Sequence, residues 1–449
     1  MALTSTTTET PQPNGRRRIS ADSNKLSRDD RPAHDWYRFV LSYPPHLVRD
    51  YLQRLSKPAQ QRVLDPFCGT GTTIVECKKL HIESVGIEAH PVAHFASSTK
   101  VNWDVDPDEL EQSATNIAQH ALDQLEKQGI IDDPAPALIA ELPQRSTLRT
   151  LPPEIDKLLL TNSISPLPLH KSLVLRDAIR AFGPECCRAH LLLAMAKALV
   201  TSISNLEFGP EVGVGPAKTD TPVVSAWLRL VRNMADDLRL LGSLAGVPAV
   251  VHHADSRDIP KLILAESIDT VITSPPYPNE KDYTRTTRLE SVLLEFVTSK
   301  KELQALKRTL VRSNTRGVYK EDTDHHVVSD HAEIQRIANA IEARRIELGK
   351  TSGFERLYAK VTKLYFGGMA RHFADLRRVL RPGAELAYVV GDQASYLRVM
   401  IRTGQLLASI AKELGYEVLG VDLFRTRLAT ATREQLREEV VVLRWPGGR

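Results

Sequence analysis

The sequence predicts an α/β fold: a mostly parallel, doubly wound sheet interrupted by two large helical insertions. Three observations carry that expectation. A strand, glycine-bearing turn, helix and second strand follow one another between Val63 and Ile87, the pattern of a βαβ unit. Short apolar, β-branched runs return only much later in the chain, and the long stretches between them show helical spacing. No internal repeat is present that would suggest a solenoid.

The elements follow in order. Residues 1–31 are rich in Thr, Ser, Pro and Asp and read as a disordered tail, with Arg16, Arg17 and Arg18 as solvated charge. Aromatic and aliphatic residues appear from His34 to Leu52 and end in a helix. Val63-Leu64-Asp65 reads as a buried strand, Pro66 to Thr73 as a turn, Ile74 to Leu80 as a helix and Ser84 to Ile87 as a second strand. Asp106-Pro107 supplies an N-cap and first-turn pair, after which Leu110, Ala114, Ile117, Ala121 and Leu125 keep helical spacing until Gly129. Further strands are expected at Pro248–Val251, Asp269–Ile272, Ala384–Val390, Tyr416–Val421 and Glu439–Leu443, with a helix over Ile401–Leu414. Residues 288–381 read mainly as helix around a polar, mobile stretch near Ser313 to Ser329. The implied division is tail 1–31, core 32–104, helical insertion 105–245, core 246–300, a basic helical insertion 301–360 and core 361–449.

Composition narrows the class. The chain has 449 residues, 42% of them hydrophobic and 25% charged, which suits a soluble globular protein with a sizeable core. The most apolar run, Leu191–Val200, is about half of what a membrane span needs. The first twenty residues lack the apolar stretch of a secretory signal, so a cytoplasmic setting without membrane contact is expected. Cys68, Cys77, Cys186 and Cys187 form no CxxC pair, and His252-His253 and His325-His326 lack a carboxylate-rich context, so no metal site is expected. Net charge is only +4, but Lys281–Lys320 holds ten Lys/Arg against four Asp/Glu, a concentration of positive charge that favours a polyanionic partner.

Two constellations carry chemistry. In Asp65-Pro66-Phe67-Cys68-Gly69-Thr70-Gly71-Thr72-Thr73, glycines between a strand and a helix let the backbone approach a ligand. Glu88, 17 residues after Gly71 at the end of the second strand, stands where a carboxylate can accept from both hydroxyls of a ribose. The G-x-G-x-x-G fingerprint is not completed, since position 74 is Ile, and no P-loop follows. The second constellation, Ser274-Pro275-Pro276-Tyr277, directly follows a strand. Its two prolines remove two backbone donors and leave carbonyls and a hydroxyl as rigid acceptors beside an aromatic face, which suits an exocyclic amino group on a flat ring.

Asp65–Thr73 together with Ser274–Tyr277 resembles the paired signatures of S-adenosylmethionine-dependent DNA amino-methyltransferases, which methylate N4 of cytosine or N6 of adenine. The resemblance implies a Rossmann-like class I methyltransferase with a mostly parallel seven-stranded sheet, its framework covering 35–100, 246–300 and 360–449. It implies that Asp65, Phe67, Gly69 and Gly71, with Thr72, line the methionine end of S-adenosylmethionine. Glu88 would hold the ribose and Asp255 the adenine amino group. Ser274 and the Pro275 carbonyl would accept the target's amino hydrogens, with Pro276 stiffening the loop and Tyr277 stacking on the base. The target base must leave the duplex to reach such a loop. Arg285 and Arg288, three apart beyond the loop, would meet phosphate, with Lys300, Lys301, Lys307, Arg308, Arg312 and Arg316 extending the basic strip.

A Ser at the first loop position leans toward N4-cytosine, with N6-adenine as the alternative. Cytosine carbon-5 chemistry needs a nucleophilic Cys after Pro, and the chain has no Pro-Cys. An RNA base, a glutamine side chain and a non-catalytic DNA-binding role on the same scaffold are the other readings. The only Glu-X-Lys triplet, Glu76-Cys77-Lys78, lies in the first helix, so any restriction or defence nuclease is expected on a separate protein.

Overall fold

The computed structural model describes residues 26–39, 42–55, 61–133, 148–208, 211–279, 281–428 and 435–448. Most of the expected tail, including Arg16 to Arg18, and residues 134–147 of the first insertion lie outside the described residues. In chain order the elements that build the site are α1 (Pro45–Arg54), β1 (Arg62–Asp65), α2 (Thr72–Lys79), β2 (Glu83–Glu88) and α3 (Pro91–Val101). The first insertion supplies α4 (Pro107–Glu126), α5 (Pro166–Phe182), α6 (Glu185–Ala198) and α7 (Val224–Leu241). Then come β3 (Ala249–His253), β4 (Ile268–Thr273), α8 (Lys300–Thr309), α9 (Ala332–Glu347) and α10 (Tyr358–Leu376). β5 (Leu380–Gly391), α11 (Thr403–Glu413), β6 (Glu417–Leu428) and β7 (Gln435–Arg444) complete the chain.

The seven strands lie in the order β3-β2-β1-β4-β5-β7-β6. β3, β2, β1, β4 and β5 run parallel, and β7 is antiparallel to both of its neighbours. This is the Rossmann-like class I methyltransferase arrangement that the sequence leads one to expect. Strand alternation sorts the core into two faces. Leu64, Val271, Leu386, Tyr388, Val441 and Leu443 point to one face and meet α9, α10 and α11. Val63, Ile272, Ala387, Val389, Val440 and Val442 point to the other and meet Leu47, Val48 and Tyr51 of α1. Both faces are covered, which is why the central strands read as unbroken apolar runs.

The first insertion has its own apolar cluster, continuous with α3 and joined to the glycine turn through Cys68, Ile74 and Val75. The expected cap at α4 forms: the Asp106 carboxylate accepts from Asp108 N at 2.8 Å and Glu109 N at 3.3 Å. Glu185–Ile203 is long and apolar enough to cross a membrane by length and composition, but its residues Leu191, Ala194, Met195 and Leu199 are fully buried among the other helices. Within the first insertion Leu206–Phe208 pairs antiparallel with Val212–Val214.

Two expectations need correction. The strands β5 and β6 are longer than the apolar runs that announced them: β5 begins at Leu380, which pairs with Ile268 of β4, and the polar end of β6 beyond Val421 still pairs with β7. The polar stretch around Ser313 to Ser329 is not loosely held. Asp324 sits under α10, where Gly367 lets its carbonyl approach so closely that a Cβ would stand 1.8 Å from it. Gly367→Ala is therefore expected to destabilise the fold by about 1–3 kcal/mol or more through overpacking. Gly383→Ala, in open space at φ +85°, should cost only the smaller backbone strain. Thermal denaturation of the two variants checks the ranking, and an unchanged midpoint for Gly367→Ala would contradict this packing.

Candidate active site

The site forms where the sheet reverses its winding. β1 and β4 are neighbours, with Val63 opposite Thr270, yet their connections leave in opposite directions, so a crevice opens beyond their carboxyl ends. The glycine turn leaves β1 and the S-P-P-Y loop leaves β4. Both line a single cavity, together with Glu88 from β2 and Asp255 beyond β3.

Asp65 ties the two strand ends together. Its carboxylate accepts from Thr273 Oγ1 at 2.6 Å, Tyr43 O–H at 3.0 Å and Phe67 N at 3.2 Å. It is wholly buried, and burial pushes its pKa up to about 6 despite those donors. Thr73 Oγ1 adds a second tie by donating to Ile272 O at 3.1 Å. Asp65 is thus behind the cavity wall, where the sequence reading had it facing cofactor. Gly71 is also off the wall. It begins α2 at φ +85°, against the Cβ of Ser97, so it serves close packing of α2 on α3. Gly69 is the open one: at φ +52° a Cβ there would meet nothing within 4 Å, so the bare backbone faces free space. Pro66, Phe67, Gly69, Thr70 and Thr72 all line the cavity.

Glu88 closes the turn. Its Oε2 accepts from Gly69 N and its Oε1 from His90 N, each at 2.8 Å, and burial raises its pKa to about 7. Lys100, wholly buried, donates to Thr70 O at 2.7 Å and Tyr37 O at 3.2 Å, so the turn is held from beneath as well. Phe67 packs on His372 with ring centroids 4.8 Å apart. Burial lowers His372 to about 4, leaving a neutral imidazole between Ser256 O and Tyr388 O–H.

Asp255 is gripped by Arg257, whose Nε and Nη2 both donate to it. Arg257 Nη1 reaches on to Asp324 at 2.8 Å, and Arg371 holds the other Asp324 oxygen. In the S-P-P-Y loop the Ser274 hydroxyl donates to Val389 O at 3.0 Å. Its one proton is committed to a carbonyl, so the oxygen offers a ligand lone pairs. Tyr277 lies over Gly391, where a Cβ would stand 3.1 Å from Cε2 of the ring.

Sequence reasoning missed several wall residues: Phe39, Tyr43, Lys281, Tyr283 and Asn314. Asn314 donates to Lys281 O at 3.1 Å, while its buried Oδ1 has no hydrogen-bond partner among the described residues. Only the chain's return through the second insertion reveals it. Of the basic residues, Arg288 is spent on Thr284 O and Leu158 O, Lys307 on Asp282 and Arg312 on Asp322, whereas Arg285 meets Glu211 only at 3.8 Å. Lys300 and Lys301 are exposed at the start of α8. Among the described residues, Glu109, Cys186 and Cys187 are close enough to share a metal ion, but none of them lines the cavity. The rings of His325 and His326 lie with centroids 4.0 Å apart.

A seven-stranded sheet with this order, with the glycine turn and the S-P-P-Y loop lining one cavity at its switch point, is the arrangement of a class I methyltransferase. A family model for DNA methylases of the N6/N4 type matches residues 17–97. The chain is 24% identical to the Type II methyltransferase M.BsoBI of Geobacillus stearothermophilus, over 96% of this chain and 86% of that protein. It is 22% identical to the Type II methyltransferase M.AvaI of Nostoc sp. and of Anabaena variabilis, over 96% of this chain and 89% of each. Among solved structures TrmN from Thermus thermophilus matches with 11% identity and a TM-score of 0.25. That match covers 89% of this chain but only about half, 48%, of the other. These likenesses support the S-adenosylmethionine-dependent DNA amino-methyltransferases as the family this chain resembles.

The Asp255–Arg257–Asp324 chain yields a stability test. Arg257→Met leaves two carboxylates without their shared cation and is expected to cost about 3–5 kcal/mol in urea denaturation. A loss below about 1 kcal/mol would mean that the ions rearrange freely.

Proposed function

We propose that this DNA amino-methyltransferase acts on N4 of cytosine, extruded from duplex DNA into the cavity. The observation that carries the proposal is the Ser274–Val389 hydrogen bond, because it turns the hydroxyl into an acceptor. An amino nitrogen conjugated into a base ring is a poor nucleophile, since its lone pair is delocalised. Ser274 Oγ and the Pro275 carbonyl would draw both amino hydrogens into line, localise that lone pair and aim it across the cavity. Pro276 keeps the loop rigid, and Tyr277, seated on Gly391, would stack on the base. This is orientation with fixed dipoles and involves no covalent enzyme intermediate.

S-adenosylmethionine supplies an electrophilic methyl group when bound. The free space over Gly69, at the carboxyl end of β1, fits such a ligand. Phe67, Gly69 and Thr72 would border its methionine end, and Glu88 would accept from the ribose hydroxyls. Asp255, oriented by Arg257, would accept from the adenine amino group. Asp65 and Gly71 would shape this cradle from behind. Arg285, Lys300 and Lys301 would meet phosphates, while Arg288 would brace the loop. Within the core and insertion division set out above, the wall made by Leu310, Ser313 and Asn314 supports 301–360 as the region that meets the target. The leaning of a first-position Ser supports cytosine over adenine. The relatives' designation as Type II methyltransferases supports a bacterial, cytoplasmic restriction-modification setting, with any nuclease on a separate chain.

Methylating duplex DNA with tritiated S-adenosylmethionine and digesting it to nucleosides is the primary test. Label in N4-methylcytosine is expected; label in N6-methyladenine moves the assignment to adenine, and label confined to RNA overturns the duplex reading. Ser274→Ala is expected to keep cofactor affinity and lower turnover by about 10²–10³-fold, the usual scale for one preorganised group. A turnover equal to wild type would remove Ser274 from this role. Glu88 accepts hydroxyls best when ionised, and its raised pKa is about 7. Cofactor affinity should therefore strengthen as pH rises through that value, and Glu88→Gln should bind more weakly with a flat profile. Calorimetry across that range reads both.

A further inference from the structure

We propose that Phe354 and Arg316 form a DNA-facing rim at the cavity mouth, with the Phe354 ring entering the base stack beside the extruded nucleotide. The inference rests on the duplex-DNA reading above. Phe354 follows Gly353 in the turn between α9 and α10, and it is 53% exposed. Ile346 and Leu348 at the end of α9 are exposed as well.

The turn is next to the site. The Arg316 guanidinium carbon lies 6.0 Å from the centre of the Phe354 ring, and the neighbouring Gly317 lines the cavity. A ring one residue's reach from the mouth is placed to occupy space that a displaced base leaves.

Charge identifies the partner. Residues 300–320 hold seven Lys/Arg against one Glu. Lys307 and Arg312 are taken up in ion pairs, while Lys300, Lys301, Arg308, Arg316 and Lys320 are exposed, with Arg308 lying over the Tyr319 ring. Cations interleaved with aromatic faces fit a nucleic acid, which offers phosphates and flat bases together. A second copy of the same positively charged face would be repelled.

The test begins by mapping the methylated position with wild-type protein and sequencing. A duplex bearing that site is then compared with the same duplex mispaired at the target base, where extrusion costs less. Phe354→Ala is expected to lose about tenfold in kcat/KM on the paired duplex, the scale of one lost stacking contact. It should regain most of that on the mispaired one, and Phe354→Trp should retain activity on both. Arg316→Gln should lower the salt dependence of DNA binding by about one phosphate. Unchanged kcat/KM for Phe354→Ala on the paired duplex, or an equal loss on both duplexes, overturns the rim. So does a dimer in sedimentation without DNA that Phe354→Ala abolishes. Wild-type protein that labels no duplex DNA overturns the functional reading and the rim with it. Unchanged cofactor affinity and thermal midpoint in Phe354→Ala are expected throughout, and a drop in either would assign Phe354 a merely structural part.

Discussion

The carboxyl ends of β1 and β4 must stay side by side, and a buried carboxylate keeps them so. Asp65 accepts from Thr273 on β4, from Tyr43 before α1 and from its own turn at Phe67, while Thr73 of α2 reaches the backbone of β4 at Ile272. These bonds span three separate parts of the chain. A charge in so apolar a position is costly unless its lone pairs are filled, and here hydroxyls and an amide fill them. The glycine turn and the acceptor loop inherit their separation from this junction.

The polar groups nearer the cavity are arranged on the same logic. Ser274 gives its proton to Val389, Asp255 is held by a guanidinium that is itself held by Asp324, and Glu88 is clasped by two amides of the loops it joins. Each side chain is oriented before any ligand arrives, so little reorganisation is left to occur on binding. The exception is Asn314, whose Oδ1 is buried without a partner among the described residues. An unfilled acceptor on a ligand-sized cavity is costly in the empty protein and useful only when an N–H donor occupies the space.

The second insertion divides its positive charge between two tasks. Lys307 pairs with Asp282 of the core and Arg312 with Asp322 inside the insertion, while the core's Arg257 reaches the insertion's Asp324. Lys300, Lys301, Arg308, Arg316 and Lys320 stay exposed to solvent. Net charge alone would not separate these populations, since pairing depends on which acidic residues the fold brings within reach.

By itself the sequence determined the period-2 and period-3.6 apolar patterns, and with them the order of strands and helices. It also determined the two loops written in consecutive residues, the glycine turn at Gly69 to Gly71 and the Ser-Pro-Pro-Tyr turn at Ser274 to Tyr277. Those features are local, so neighbours in the chain suffice to specify them. Tertiary structure decided which of those residues face the cavity. Gly69 does and Asp65 and Gly71 do not, because strand pairing turned the carboxylate toward Thr273 and helix packing pressed Gly71 on Ser97. It decided, too, that Arg288 turns to the carbonyls of Thr284 and Leu158, that Asn314 lines the cavity and that His372 stands behind Phe67. Their partners come from positions far along the chain, and no spacing in a one-dimensional string records a contact made only when the sheet has wound.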